Sequence, residues 1–296
     1  MRNDNLLGVG VALITPFNEN GEVDYPALET LLNHIISGGV DYIVVSGTTG
    51  EPSTMTADEK RDLRKFVVEK VNGAVPLVLG IGGNCTKAVV DEIKNTDLKG
   101  FDSILSISPY YTKPSQRGIY AHFAEIAKAS PLPVILYNVP GRTGRGMDAA
   151  TILQLANDFR NIVAVKEASG NMDQIMEIIQ KKPEDFILIS GDDSLTVPMI
   201  SVGCSGVISV AANVVPKQFC SMIKAAMNGD FKEASRIHYM LLDLMNTLFE
   251  DGSPSGAKAA LAQLGLMKEV LRLPLVEVCE KTREHIKVAL AKALEA

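Results

Sequence analysis

Short apolar runs rich in β-branched residues alternate along the chain with longer segments in which apolar residues recur at the α-helical period. Several of the runs are apolar at every position, as expected for parallel strands that are covered on both faces by helices. The runs predict strands over residues 10–17, 41–47, 75–83, 101–111, 133–140, 161–170, 186–193 and 205–214. Helices are predicted over residues 25–37, from 56, 86–95, 116–129, 148–157, 171–180, 194–202 and 216–227.

The regular alternation of strand and helix predicts an α/β fold, a closed (β/α)8 TIM barrel. A doubly wound open sheet is the alternative, although such a sheet has no need of eight regular units. After residue 228 only helical patterns remain, over 230–249, over 254–266 and from Val276. We therefore predict a barrel over 1–227 that carries the active site and a C-terminal helical extension over 228–296, packed on the barrel or on another subunit. Met240 and Met245 are interpreted as a core face of that extension.

Local signals at the helix starts agree with these elements. Asp24 is predicted to cap the first helix, and Thr56 with Glu59 has the spacing of a capping box for the second. Asp192 and Asp193 could hold a divalent metal, but a helix N-cap and a first-turn acid explain them more simply.

Composition narrows the class of protein. Hydrophobic residues make up 46% and charged residues 22%, and the net charge is −6, so neither nucleic acid nor an anionic membrane is an expected partner. The N-terminus lacks the features of a signal peptide and no apolar run is long enough to span a bilayer, which predicts a cytoplasmic protein. Four scattered cysteines and four isolated histidines predict reduced thiols, no metal site and no cofactor.

Polar side chains collect where the predicted strands end, which is the edge of a TIM barrel that holds the active site. The sequences at these ends are SGTTGE (46–51), SPYY (108–111), YNVPGRTG (137–144), KEASG (166–170) and SGDD (190–193). Polar loops would explain the serines, glycines and aspartates, but not two tyrosines and a lysine that face inward.

Lys166 follows a buried run and shares a strand face with Ile162 and Ala164. If that face lines the barrel, burial lowers the pKa of the amine and makes it a nucleophile that can form a Schiff base with a ketone. The alternative is a structural lysine that reaches the strand edge and pairs with Glu167. The spacing does not decide between them.

The glycine-rich segments are weaker signals. GTTG (47–50) offers hydroxyl and backbone N–H groups that suit a carboxylate. A P-loop is excluded because no G-K-[ST] follows, and GIGGN (80–84) is an incomplete dinucleotide fingerprint.

Taken together, GTTGE, SPYY followed by PSQ, ILYNVPGRTG, VKEASGN and LSGDD resemble the motifs of the 4-hydroxy-tetrahydrodipicolinate synthase family, also called dihydrodipicolinate synthase, of the N-acetylneuraminate lyase and class I pyruvate aldolase superfamily. The resemblance runs from about residue 8 to LRLP (271–274). It implies a lyase that condenses pyruvate with aspartate-4-semialdehyde in lysine and diaminopimelate biosynthesis. A sugar-acid aldolase of the same superfamily is the alternative, and a catalytically silent binding barrel is a third reading.

The resemblance also implies a role for each site residue. Lys166 would condense with pyruvate, and Tyr137 would move protons with the help of Thr48. Tyr111 would complete the relay from a neighbouring subunit of a homotetramer, a dimer of dimers. The substrates would be bound by Thr49, Arg142, Gly191 and Ile208, with Arg142 on the carboxylate of the semialdehyde.

Two departures from the family pattern affect other expectations. Lysine-inhibited relatives carry a histidine and a glutamate where this chain has Lys60 and Ala88, which predicts insensitivity to lysine, although Asn84 and Tyr110 of that cleft remain. SPSGAK (253–258) lacks the N-P-x-P-x-K form of the family, which puts the packing of the C-terminal helices in doubt.

Overall fold

The strands close into one parallel barrel in the computed structural model, which describes residues 4–296. Each strand pairs with the next in the chain, and the last pairs with the first from Gly206 opposite Gly8. The predicted (β/α)8 TIM barrel is confirmed. Its strands are β1 (Gly8–Ala12), β2 (Tyr42–Val45), β3 (Leu77–Gly80), β4 (Ser103–Ile107), β5 (Val134–Asn138), β6 (Ile162–Glu167), β7 (Ile187–Ser190) and β8 (Gly206–Ser209).

Helices follow every strand and cover the outside of the barrel. They are α1 (Tyr25–Ser37), α2 (Ala57–Val71), α3 (Thr86–Asn95), α4 (Gln116–Ala129), α5 (Pro140–Thr143), α6 (Ala149–Asp158), α7 (Met172–Lys181), α8 (Thr196–Ser201) and α9 (Pro216–Met227). The predicted caps are confirmed: the Asp24 carboxylate accepts from the Ala27 N–H at 3.0 Å, and Thr56 and Glu59 exchange both hydrogen bonds of a capping box. Short 3₁₀ turns lie at Asp4–Leu6, Thr48–Gly50, Pro52–Thr54 and Ala211–Asn213.

The first strand begins earlier and ends sooner than the predicted 10–17. Beyond Ala12, Leu13, Ile14 and Phe17 are buried although they are not part of the strand, and the Leu13 N–H makes one more bond to β2, to the Val44 carbonyl at 3.0 Å. The Ile14 N–H donates to the side chain of Asn213 at 3.2 Å instead of to a strand. The length of the apolar run therefore reflects how far the chain stays buried and not how far the strand extends. The other predicted strands likewise included residues of the loops that follow them.

Two apolar cores flank the sheet, one inside the barrel and one between the strands and the helices. Tyr42 fills the lower part of the interior, and its hydroxyl donates to the Val207 carbonyl at 3.4 Å. A Cβ on Gly10 would lie 2.2 Å from the Tyr42 ring, so only glycine fits there. Ala164 belongs to this inner core, which fixes the direction of the side chain two residues later.

The C-terminal residues form α10 (Phe231–Thr247), α11 (Ser255–Gln263) and α12 (Glu280–Leu294), with α10 packed between α9 and α12. Met245 is buried and Met240 is half-buried. The predicted helix from Val276 is wrong at its start, because the Asp251 carboxylate accepts from the Cys279 N–H at 2.8 Å and α12 begins only after that contact.

Three findings concern chemistry outside the barrel core. All four cysteines are free thiols. Within residues 4–296, no helix is long and apolar enough to cross a membrane. Over the same residues, no group of three or more His, Cys, Asp or Glu side chains is placed to hold a metal ion.

Candidate active site

Lys166 lies near the end of β6, on the inner face of the barrel. The register places it between Tyr137 of β5 and Ile189 of β7, so the three side chains form one layer near the carboxyl end of the sheet. The Lys166 ammonium nitrogen lies 4.4 Å from the centre of the Tyr137 ring, a cation–π distance. A lysine and a phenol are therefore held side by side by strand pairing alone.

The barrel buries the Lys166 side chain, leaving the residue 6% exposed. The pKa of Lys166 is lowered to about 8, chiefly by burial; the Asp193 carboxylate opposes this shift, and the nearby Arg142 guanidinium adds to it. Desolvation disfavours the ammonium form because a charge in a low-dielectric interior loses its hydration. A sizeable neutral fraction is therefore present near neutral pH, and a neutral amine is nucleophilic.

The alternative in which Lys166 pairs with Glu167 is wrong, because adjacent strand residues point to opposite faces. The buried Glu167 carboxylate accepts hydrogen bonds on the outer side of the sheet, from Asn138 Nδ2 at 2.8 Å, Gln174 Nε2 at 3.2 Å and the Ser169 N–H at 2.8 Å. Its charge is satisfied by these groups.

Lys166 opens into a cavity of about 390 Å³ at the carboxyl end of the barrel. Seven of the eight predicted site residues line this cavity, and Tyr111 is the exception. The seven are Thr48, Thr49, Tyr137, Arg142, Lys166, Gly191 and Ile208.

The turn after β2 brings the two threonines to the cavity wall as a 3₁₀ turn, with Thr49 buried and Thr48 exposed. Thr15 Oγ1 donates to the Gly50 carbonyl at 2.8 Å, which ties the turn to the segment after β1. The turn thus presents hydroxyl and backbone N–H groups on a fixed frame, an arrangement that suits a small carboxylate.

Tyr137 keeps its proton under ordinary conditions. Burial raises the pKa of its phenol, while Arg142 and a hydrogen bond with the Thr48 side chain lower it. Arg142 lies on the short helix α5 and is exposed at the cavity mouth. The loop that follows α5 is held by Asn138, whose Oδ1 accepts from the Met147 N–H at 2.9 Å.

Tyr111 lies apart from the cavity and is 86% exposed. Its backbone φ is +70°, in the left-handed region that non-glycine residues adopt rarely and at a cost. An aromatic ring with this exposure is available to contact another molecule.

The interpretation of Asp193 as a helix cap or a first-turn acid is wrong. Its carboxylate accepts from the Val210 and Ala211 N–H groups, at 3.1 and 2.7 Å, so it belongs to the turn after β8, whereas α8 begins only at Thr196. Burial raises its pKa to about 6, partly offset by those hydrogen bonds. Asp192 holds the local turn through Ser194 and Leu195.

The C-terminal extension supplies one wall of the cavity, which sequence reasoning missed. Met245 and Asn246 of α10 line it, together with Phe249 and Ser253 of the segment that follows. The signal for the first three was the helical pattern of residues 230–249, which does not say which face meets the barrel mouth, and Ser253 was noticed only as the first residue of SPSGAK.

A second cavity of about 410 Å³ adjoins the first and shares Thr48, Tyr137 and Arg142 with it. Lys60, Arg64 and Tyr110 also line it, and the Arg64 guanidinium pairs with Glu92 at 2.7 Å. Asn84 and Ala88 are exposed and lie outside its lining.

A buried amine of lowered pKa beside a phenol, at the carboxyl end of a (β/α)8 barrel, is typical of enzymes that form a Schiff base with a carbonyl substrate. The comparisons agree with this class. The chain belongs to the dihydrodipicolinate synthetase family, whose model matches residues 5–293, and it is an enzyme of the lyase class.

The chain is similar to proteins of that family over nearly its whole length. It is 49% identical to the 4-hydroxy-tetrahydrodipicolinate synthase of Parabacteroides distasonis over 290 residues, with 98% of each chain covered. The crystal structure of dihydrodipicolinate synthase from Aquifex aeolicus matches with a TM-score of 0.93 and 43% identity, covering 97% of this chain and 98% of that one. The enzyme from Cyanidioschyzon merolae, solved with lysine bound, matches with a TM-score of 0.94 and 42% identity, covering 99% of both chains.

Proposed function

We propose that the protein condenses pyruvate with L-aspartate-4-semialdehyde to 4-hydroxy-tetrahydrodipicolinate, as the names of its relatives indicate. The observation that carries the proposal is the buried Lys166 amine, 4.4 Å from the Tyr137 ring centre, in a cavity lined by two threonines and an arginine. Lysine supplies the nucleophile, and the hydroxyl groups supply a proton path in a cavity whose described lining residues include no histidine.

The first half of the reaction is imine formation. The neutral Lys166 amine attacks C2 of pyruvate, while the Thr49 side chain and the backbone at Thr48 bind the carboxylate. Tyr137 passes a proton to the former carbonyl oxygen, which leaves as water, and the imine forms. Thr48 links Tyr137 to Tyr111 of a neighbouring subunit, so that the phenol can be reprotonated.

In the second half, Tyr137 takes a proton from C3 of the imine to give an enamine. The enamine attacks the aldehyde carbon of the semialdehyde, and the same proton passes from Tyr137 to the aldehyde oxygen, which becomes a hydroxyl group. The Arg142 guanidinium binds the carboxylate of this substrate. Main-chain groups at Gly191 and Ile208 line the pocket. Attack of the substrate amino group on the imine carbon then closes the ring and releases Lys166 as the free amine.

Borohydride reduction in the presence of pyruvate, followed by peptide mass mapping, tests the nucleophile. We expect one adduct, on the peptide that contains Lys166, and none in Lys166→Arg. Lys258 is a sharp internal control, because burial lowers its pKa to about 8 as well, yet it does not line the cavity. An adduct on Lys258, or no adduct at all, contradicts the mechanism.

The aldehyde substrate is tested through Arg142. Arg142→Met removes a charge-assisted hydrogen bond, so KM for the semialdehyde should rise by about 10- to 100-fold. Saturating pyruvate should still give the Lys166 adduct, although more slowly, because the loss of the Arg142 charge raises the pKa of the amine. Arg145→Met, on an exposed arginine outside the cavity lining, is the matched control. Faster turnover of a sugar-acid aldehyde than of the semialdehyde would favour the aldolase alternative.

We also propose that free lysine does not inhibit this enzyme. The second cavity holds two cations, Lys60 and Arg64, and its acid Glu92 is already paired with Arg64. An incoming ammonium group therefore meets like charge and no free carboxylate. Steady-state rates should be unchanged by millimolar lysine, whereas Lys60→His combined with Ala88→Glu should introduce inhibition. Sub-millimolar inhibition of the wild type refutes the proposal.

A cytoplasmic homotetramer is the proposed assembly. The support is Tyr111, which is 86% exposed and does not line the cavity that holds Thr48 and Tyr137, so its proposed role in the relay requires it to come from another copy of the chain. Sedimentation equilibrium measures the assembly directly, and a monomer with full activity contradicts it.

A further inference from the structure

Glu51 follows the Thr48–Gly50 turn directly and is buried, with 2% exposure. Its φ is +55°, a left-handed conformation that costs a non-glycine residue free energy. The backbone on both sides is tied down: the Glu51 N–H donates to the Thr48 carbonyl at 3.2 Å, and Thr54 Oγ1 donates to the Glu51 carbonyl at 2.9 Å. The shape of the turn therefore depends on what holds Glu51 in this conformation.

The cation that faces Glu51 comes from the C-terminal extension. Lys258 Nζ lies 2.5 Å from Glu51 Oε1, and both side chains are fully buried. The ammonium also donates to the Val270 carbonyl at 2.9 Å and lies 4.1 Å from the centre of the Phe17 ring. Two buried charges of opposite sign hold each other because either one alone would be strongly disfavoured.

The segment after α11 contributes a second tie. The backbone N–H of Arg272 donates to Glu51 Oε2 at 3.3 Å. The guanidinium of Arg272 is fixed in turn by the Glu59 carboxylate and the Gly21 and Thr54 carbonyls. Both oxygens of Glu51 are therefore held by residues from the last part of the chain.

We propose that Glu51, Lys258 and Arg272 are positioning residues that set the geometry of the carboxylate-binding turn, so that the C-terminal extension determines how well the site binds pyruvate. The inference rests on the proposed function, in which Thr49 and the backbone at Thr48 bind the pyruvate carboxylate. If the Glu51–Lys258 ion pair were purely structural, removing it would lower the stability of the fold but would leave pyruvate binding unaffected.

Glu51→Gln keeps the shape of the side chain and removes its charge. We expect the pyruvate concentration for half-maximal borohydride trapping on Lys166 to rise roughly tenfold, the loss of one charge-assisted hydrogen bond, with the rate at saturation changing much less. Ile286→Ala, in the buried face of α12, is the control for general destabilisation. It should lower Tm at least as far and leave the half-saturating concentration within about twofold.

The double variant Glu51→Gln with Lys258→Met separates positioning from stability. Removing the second charge relieves the unpaired ammonium, so Tm should recover. The half-saturating concentration should stay raised, because the turn is still not held. If both recover together, the pair is only structural and the proposal is overturned.

A milder variant covers the case in which Glu51→Gln does not fold. Thr54→Val removes the hydroxyl that holds the Glu51 carbonyl, and we expect the half-saturating pyruvate concentration to rise by about threefold. Thr30→Val removes an equivalent exposed hydroxyl-to-carbonyl bond on α1 and should have no effect. A wild type that forms no adduct refutes the proposed function, whereas a wild type that traps pyruvate no more tightly than Glu51→Gln and Thr54→Val refutes this inference alone.

Discussion

The rate at which Lys166 forms an imine should follow the titration of its amine. Burial brings the pKa of Lys166 from the ordinary 10.5 to about 8. This shift corresponds to about 3 kcal/mol, at about 1.4 kcal/mol for each pKa unit. The neutral fraction at pH 7 is then about 9%, compared with about 0.03% for an ordinary lysine.

The assay mixes enzyme with sub-saturating pyruvate between pH 6 and pH 10 and quenches at set times into borohydride at one fixed pH, so that the reduction step stays constant. Intact mass spectrometry then measures the adduct. The rate should rise about ninefold from pH 6 to pH 7 and less than twofold from pH 8 to pH 9. A rate that keeps rising about tenfold per unit through pH 9 would show that burial has not shifted the pKa, and the reasoning would be refuted.

Asp193→Asn tests the electrostatic part of the argument. The Asp193 carboxylate stabilises the ammonium form of Lys166, so its removal should lower the pKa of Lys166 and move the midpoint of the profile to lower pH. The asparagine oxygen can still accept from the Val210 and Ala211 N–H groups. Asp173→Asn, on the exposed start of α7, is the matched loss of charge and should leave the midpoint unchanged. A midpoint that moves upward in Asp193→Asn contradicts the assignment.

Three further outcomes are expected. Gly191→Ala places a Cβ 3.0 Å from Lys166 Cε, so trapping of pyruvate should slow by about 100-fold while the circular dichroism spectrum stays native. Trapping at the wild-type rate would show that the neighbouring side chains move to accommodate the added methyl group. Glu59→Gln should lose about 1–3 kcal/mol of unfolding free energy at pH 7 in urea. The Arg272 hydrogen bond lowers the pKa of Glu59 from 4.5 to about 2, so this stabilisation is present above pH 4.5 and is lost as the pH falls toward 2, and the difference between the two proteins should shrink over that range. Tyr111→Phe and Lys166→Ala subunits should regain activity when they are mixed and reassociated. If they do not, Tyr111 either acts in the active site of its own subunit or takes no part in the reaction.

The barrel could be predicted from the sequence because every strand is a short apolar run followed by an amphipathic helix, and this pattern is local. The rim residues could be located for the same reason, since each follows a strand directly, as Lys166 and Arg142 do. The direction of Lys166 could be read from its parity with Ala164. The partners of the neighbouring Glu167 could not be read in this way, because Asn138 and Gln174 come from other elements and meet its carboxylate only in the folded chain.

The remaining features depend on contacts between distant parts of the chain. Asp193 looks like a local helix signal, yet its partners are in the turn after β8. Met245 and Phe249 belong to an ordinary helical pattern, and only packing shows that they face the cavity. Lys258 lies in a motif that departs from the family form, yet it makes the most deeply buried ion pair of the described residues. Such contacts have no periodicity by which a sequence could reveal them.

The pairing of Glu51 with Lys258 also bears on how the protein folds and unfolds. If the C-terminal helices came away from an intact barrel, Glu51 would be left as a buried carboxylate without its cation, and the barrel would be strongly destabilised. The barrel and its extension are therefore coupled into one cooperative unit, and a chain that ended before Lys258 would carry all eight strands without being able to complete its own interior.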